Sequence, residues 1–256
     1  MTAEAAAAHG RAPRIDATSG AVIVLASAAW LAVVAIGATR WSADFSHGAL
    51  ENLGAHPWAV GTLAAGWVLM VVAMMVPTTL PLLVLFGRMT TRRPERALRG
   101  TLLAGYVVVW LAAGAAMHVG DFGIHRLVHV WPWLARNAWT IEAVTLALAG
   151  AYQFTGLKSR CLTRCRSPQS FLRKHWRGGS ARAQALRIGL DHGVYCVGCC
   201  WSLMLVMFSV GVGNAVWMLG LAAVMLVEKT AAAGRRASAP AGLWLLAAAL
   251  VTALAR

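Results

Sequence analysis

The chain has 256 residues, of which 59% are hydrophobic and only 12% charged, with a formal net charge of +14. This composition lies outside the range of soluble domains and inside that of multi-pass membrane proteins. The basic charge does not point to nucleic acid, because Lys and Arg sit in short segments between apolar runs, with no DNA- or RNA-reading motif and no basic helix with interleaved aromatics.

Residues 1–19, rich in Ala and polar residues, are predicted to be a disordered cytoplasmic N-terminus. A bilayer crossing needs roughly 17–25 apolar residues. Seven runs meet or approach that length: Gly20–Ala38, Trp58–Val76 (continuing toward Phe86), Thr101–Gly120, Ala138–Gly156, Gly193–Val212, Asn214–Val227 and Ala239–Ala255. The predicted fold is an all-α, multi-pass transmembrane helix bundle of seven spans, six if one of the last two falls short, with residues 20–256 as a single membrane domain. The first run, at 19 residues, exceeds the roughly 7–15 of a signal-peptide core and reads as a retained helix. Pro77 and Pro81 interrupt the second run, which predicts a kink or partial unwinding near Pro77. Asp121–Asn137 is predicted to carry an interfacial helix, with Trp131 and Trp133 in an aromatic belt. Residues 157–192 read as a basic cytoplasmic loop with short helical pieces, broken by Pro168 and Gly178-Gly179.

The segments flanking these runs alternate in charge. Counted from the N-terminus, odd-numbered segments hold 19 Lys and Arg and even-numbered ones hold 4. Cytoplasmic segments carry the Lys/Arg excess, so the N-terminus is predicted cytoplasmic and the C-terminus external.

All five cysteines fall between residues 161 and 200. Cys196, Cys199 and Cys200 form a CxxCC run in the fifth apolar stretch, and Met204 continues the i, i+4, i+8 column begun by Cys196 and Cys200. Thiolates and thioethers are soft donors that select Cu(I), while thiolates also suit Zn(II). Cys161 and Cys165, spaced CxxxC, lie among Lys158, Arg160, Arg164 and Arg166, a setting expected to favour thiolate. By the charge pattern all five face the cytoplasm, a reducing compartment that disfavours a structural disulfide. Met70, Met74 and Met75 precede Pro77 on the second helix at an expected depth that meets Cys200. Glu228, with Met225 one turn before it, is an acid at the inner boundary and a candidate by default, and His192 is a neighbouring candidate. Asp121, His125 and His129 fall at i, i+4, i+8 on the outer side, and Asp44, His47, Glu51 and His56 occupy the other external loop. These harder donors suit Cu(II) or Zn(II).

The segments Trp67–Pro77, Tyr152–Lys158, Cys161–Pro168 and Tyr195–Met204, with the pair Glu228-Lys229, resemble a bacterial family of predicted metal-binding integral membrane proteins linked to copper supply for a polyphenol oxidase. The resemblance covers about residues 60–235. Two positions depart from it: Gly213 stands where the family pattern has Met, and Gly156 where it has Pro. The resemblance implies a bacterial inner-membrane protein that handles copper without catalysis, delivering it to a copper-dependent oxidase or exchanging it with a soluble carrier. In that expectation Cys196, Cys199, Cys200 and Met204 hold Cu(I), with zinc as the alternative ion, Cys161 and Cys165 exchange it, and Met70, Met74 and Met75 extend the path. Two other readings compete. One is a membrane thiol–disulfide oxidoreductase built on the CxxC pair, and the other is a structural membrane partner without metal.

Overall fold

The computed structural model describes residues 17–39, 59–90, 95–176, 179–210, 214–231 and 233–255, and every regular element among them is helical. The chain up to residue 16, the stretch containing Asp44, His47, Glu51 and His56, and residues 211–213 lie outside the described residues.

Helix α1 spans Ala17–Gly37, matching the first apolar run. Helix α2, Ala59–Met70, passes into a π-helical turn at Val71–Met75 and a 3₁₀ turn at Pro77–Thr79, then into α3, Leu80–Met89. The expected break is therefore present. Pro77 has no N–H to donate and Pro81 repeats the lesion, and the two halves bend by 41°. The wide turn is closed by an i→i+5 bond from Val76 N to Val71 O at 3.0 Å. Thr78 and Thr79 donate their hydroxyls to the carbonyls of Met75 and Val76, each at 2.7 Å, so the disturbed backbone is paired internally.

Helix α4, Glu95–Val130, is continuous for 36 residues. It swallows the predicted interfacial segment as far as Val130, leaving only the short α5, Pro132–Arg136, which starts at the next proline. Helix α6 is Trp139–Tyr152. The basic segment that follows is mostly helical: α7, Gly156–Cys165, is capped by the Thr155 side chain accepting from Lys158 N, and α8, Pro168–His175, begins at Pro168. Helix α9, Ala181–Val210, starts twelve residues before the expected Gly193, because Ala181–His192 lacks any breaker beyond Gly189 and packs on its neighbours. Helix α10, Ala215–Thr230, is capped by Asn214, and α11, Ser238–Leu254, closes the bundle.

Among the described residues four helical stretches are long and apolar enough to cross a membrane, at Thr18–Gly37, Arg96–Val130, Ala181–Met207 and Gly234–Leu254, and the bent pair Val60–Met75 with Pro77–Met89 makes a fifth as one broken span. The other two predicted runs form helices of 14 and 16 residues, so length alone supports fewer than the expected seven. The outward surface is strongly apolar: Leu31, Val216 and Leu254 are each more than 70% exposed.

The most extensive packing is α9 on α4. Gly189 and Gly193, four residues apart on α9, meet the backbone of α4; a Cβ at Gly193 would sit 2.8 Å from Val109 Cβ, and one at Gly189 would strike the Leu102 carbonyl. Such small-residue seams let helix backbones approach where no hydrophobic effect drives them together. Helix α7 packs on α9 as well, and Trp67 on α2 ties to α4 by donating Nε1–H to the Trp110 carbonyl at 2.8 Å. The second, third, fifth and sixth apolar runs thereby bring one end of each helix to a shared buried centre.

Candidate metal centre

Helix α9 supplies Cys196, Cys199 and Cys200, all at most 1% exposed. The helical spacing places Cys196 and Cys200 on one face, as the column predicts. The thiols of Cys199 and Cys200 donate to the Cys196 carbonyl at 3.1 and 2.8 Å. The π-turn then delivers Met75, whose Sδ lies 3.8 Å from Cys200 Sγ. This is the meeting expected from helix depth, although Met75 rather than Met70 or Met74 makes it. Met70, Met74 and Met204 are buried in the same core.

The centre of this sulfur cluster is taken by a cation. Lys229, at the end of α10 and only 9% exposed, donates from Nζ to Cys196 Sγ at 3.0 Å, Met75 Sδ at 3.4 Å, Thr78 Oγ1 at 3.4 Å and Cys200 Sγ at 3.9 Å. From α4, Tyr106 donates its hydroxyl to the Met75 carbonyl at 3.2 Å and lies 3.2 Å from Cys196 Sγ. Helices α4, α9, α10 and the π-turn thus converge on one cage of two thiols, a thioether and two hydroxyls around an ammonium. Among the described residues no group of three or more His, Cys, Asp or Glu stands ready to hold a metal ion; the donors here include a thioether and enclose Lys229.

Cys161 and Cys165 form the wall on the α7 side. Both are buried at 8% exposure, and Gly198 is the reason α7 can come so close: a Cβ there would fall 2.7 Å from Cys161 Sγ. Cys165 hydrogen-bonds with Cys196 and Cys199, which hold its thiol well above the ordinary pKa, with burial adding to the shift. Burial, and then the Cys199 thiol, push Cys161 up as well. The expectation that flanking basic residues favour thiolate is thus corrected. Arg160 and Arg164 point outward on α7 while the two thiols face the core, so desolvation and sulfur neighbours decide the protonation. All five cysteines are free.

The acid that sequence reasoning selected turns away from the sulfurs. Glu228 accepts from Lys158 Nζ at 2.8 Å through Oε2 and from Ser238 Oγ at 2.7 Å through Oε1, and both charged side chains are at most 2% exposed. Adjacent residues on a helix point about 100° apart, so Glu228 reaches α7 and the start of α11 while Lys229 reaches the cage. Arg166, just past α7, reinforces the joint by donating to the carbonyls of Glu228 and Ala231. Met225 is fully buried.

His192, one turn before Cys196, is buried between the rings of Tyr106 and Phe171, with centroids at 5.6 and 5.2 Å, and neither ring nitrogen has a hydrogen-bond partner. The outer set is remote. Asp121 and His125 approach to 3.8 Å, but Asp121 lies 15 residues beyond Tyr106 on the same continuous helix, roughly 22 Å away, and His129 is two turns further. Sequence reasoning missed three participants: Lys229 as the occupant of the cage, Lys158 as the partner of Glu228, and Tyr106. A Lys closing an apolar helix was the available signal for Lys229; Tyr106 carried none.

A family model described as copper chaperone, PpoB2, matches residues 64–252. No match is found among curated proteins or among solved structures.

Proposed function

We propose, since the chain belongs to the PpoB2 copper chaperone family, that it is a multi-pass inner-membrane protein that takes Cu(I) as cargo at the sulfur cage and hands it on without catalysing a reaction. The observation that carries this reading is the convergence of Cys196 Sγ, Cys200 Sγ and Met75 Sδ around one cation position. Two thiolates and a thioether are a soft, low-coordinate donor set suited to Cu(I). His192, with both nitrogens unpaired one turn away, is a further donor within the same column. Cys199 and Cys165, hydrogen-bonded into the cluster, offer neighbouring thiols for ligand exchange, with Cys161 beside them. Met70, Met74 and Met204 line the surrounding core. The apolar outer surface and the long helices fit a bilayer, and the Lys/Arg alternation supports a cage on its cytoplasmic side. A copper-dependent oxidase is the recipient that the family's chemistry implies.

Purified protein in detergent, titrated with Cu(I) against a colorimetric chelator, is expected to retain copper in preference to Zn(II). Cys196→Ser, Cys199→Ser and Cys200→Ser combined should abolish retention. Undiminished copper binding by that triple variant would refute the assignment.

A further inference from the structure

The buried ammonium at the middle of the cage has no role in holding copper, and its position conflicts with the ion. A metal bonded to thiolate sits about 2.3 Å from sulfur, whereas Lys229 Nζ lies 3.0 Å from Cys196 Sγ, 3.4 Å from Met75 Sδ and 3.9 Å from Cys200 Sγ. An ion sharing those three sulfurs would fall on or against Nζ. Two like charges in contact inside a low-dielectric interior repel strongly, so the two cations cannot share the cage. Nor is Lys229 held there by an acid, because its neighbour Glu228 is engaged with Lys158 and Ser238.

We propose that Lys229 is a resident counter-cation of the copper cage: it fills the cargo position in the empty protein, is expelled when Cu(I) enters, and re-enters to drive the ion off at handover. This rests on the copper reading given above. The geometry supplies the means. Lys229 stands one residue before the end of α10, and its flexible four-carbon stem can carry the charge toward the helix terminus. Both cations carry one positive charge, and the Cys200 thiol, which donates to the Cys196 carbonyl in the empty protein, gives up its proton to solvent on becoming a thiolate ligand as the ion enters and takes one back when the ion leaves. The Lys158–Glu228 pair, on the opposite side of the same turn, keeps the backbone of Lys229 in place while its side chain moves.

The test labels lysines of the full-length protein in detergent with a small acylating reagent, before and after loading with Cu(I), and reads Lys229 and Lys158 by mass spectrometry, with copper content measured on the same samples. Lys229 labelling should rise about tenfold on loading, in the usual range of coupling between two ligands, while Lys158 stays protected. In parallel, Lys229→Leu should bind Cu(I) about tenfold more tightly and surrender it to a chelator more slowly. Copper-loaded protein in which Lys229 remains as protected as in the empty form would overturn the inference, as would unchanged or weaker affinity in Lys229→Leu. If the variant does not fold, the labelling of the natural chain decides. Failure of the natural chain to retain copper would refute the proposed function itself and the inference with it.

Discussion

Replacing Glu228 by Ala should be among the most destabilising single changes in the protein, and the reason is the charge it strands. Lys158 Nζ and Glu228 Oε2 are 2.8 Å apart, with side chains 1% and 2% exposed, so neither group can turn to water when its partner is lost. Breaking a buried pair by removing one partner costs about 3–5 kcal/mol. The Ser238 hydroxyl, which donates to Oε1 at 2.7 Å, loses its acceptor as well and adds about 1 kcal/mol. At roughly 1.4 kcal/mol per decade, the total lowers the folded-to-unfolded ratio by about three to four orders of magnitude. The pair as a whole is far less valuable than that figure suggests, because desolvating two charges offsets most of their attraction. Lys158→Met combined with Glu228→Leu should therefore recover to within about 2 kcal/mol of the natural chain. The assay is denaturant unfolding of the detergent-solubilised protein followed by tryptophan fluorescence, for both single variants and the double. Single variants that each cost under about 1 kcal/mol, with the double simply additive, would show that the pair is solvated and refute the argument. Copper retention by the double variant should be intact, since neither residue touches the sulfurs.

Three further outcomes test the cage and its walls. Gly198→Ala places a Cβ 2.7 Å from Cys161 Sγ and should cost about 1–3 kcal/mol of stability as α7 is pushed off α9, read as a lowered midpoint in the same unfolding assay; an unchanged midpoint would mean that α7 yields freely. Met75→Leu conserves volume, so stability should fall by less than about 1.5 kcal/mol while Cu(I) affinity drops roughly tenfold with loss of the thioether donor; Met70→Leu, removed from the cage, should leave affinity unchanged, and equal losses in the two would deny Met75 its special place. Tyr106→Phe removes a hydroxyl within 3.2 Å of both the Met75 carbonyl and Cys196 Sγ and should cost about 0.5–1.5 kcal/mol in unfolding free energy; a loss of copper binding far beyond that would show the hydroxyl to be part of the binding set.

The sequence shows where the helices lie and which thiols matter, because both follow from short-range pattern. Each predicted apolar run falls on a helix, the Pro77 break is visible as a missing donor, and the i, i+4 rule puts Cys196 and Cys200 together. Helix ends were harder. Residues 181–192 read as loop because their partners on α4 are distant in sequence, and Asp121–Val130 read as a separate piece although nothing in it stops α4. The side-chain pairing of Glu228 and Lys229 was not legible at all. Position in the chain gives both the same depth, and only the packing of α7 and α9 around α10 decides which neighbour each meets. The Cys165 thiol makes the same point, for its basic flank is a sequence feature and its burial is not.

That pairing choice determines the chemistry of the cage. Had Lys229 met an acid, the two charges would have cancelled locally and left a pocket of thiols without a cation. Instead Glu228 is taken by Lys158, 70 residues away in sequence, and Lys229 is left with sulfur as its nearest partner. A buried charge needs compensation close by, and around Lys229 Nζ it is the sulfurs of Cys196, Met75 and Cys200 and the Thr78 hydroxyl that stand within reach. Three independent devices hold that arrangement: the π-turn ahead of Pro77 presents Met75, the Gly198 contact admits α7 against the thiols, and the Lys158–Glu228 pair orients the end of α10. Each comes from a different part of the chain, so removing one without a packed replacement should impair the cage while the other two sides remain folded.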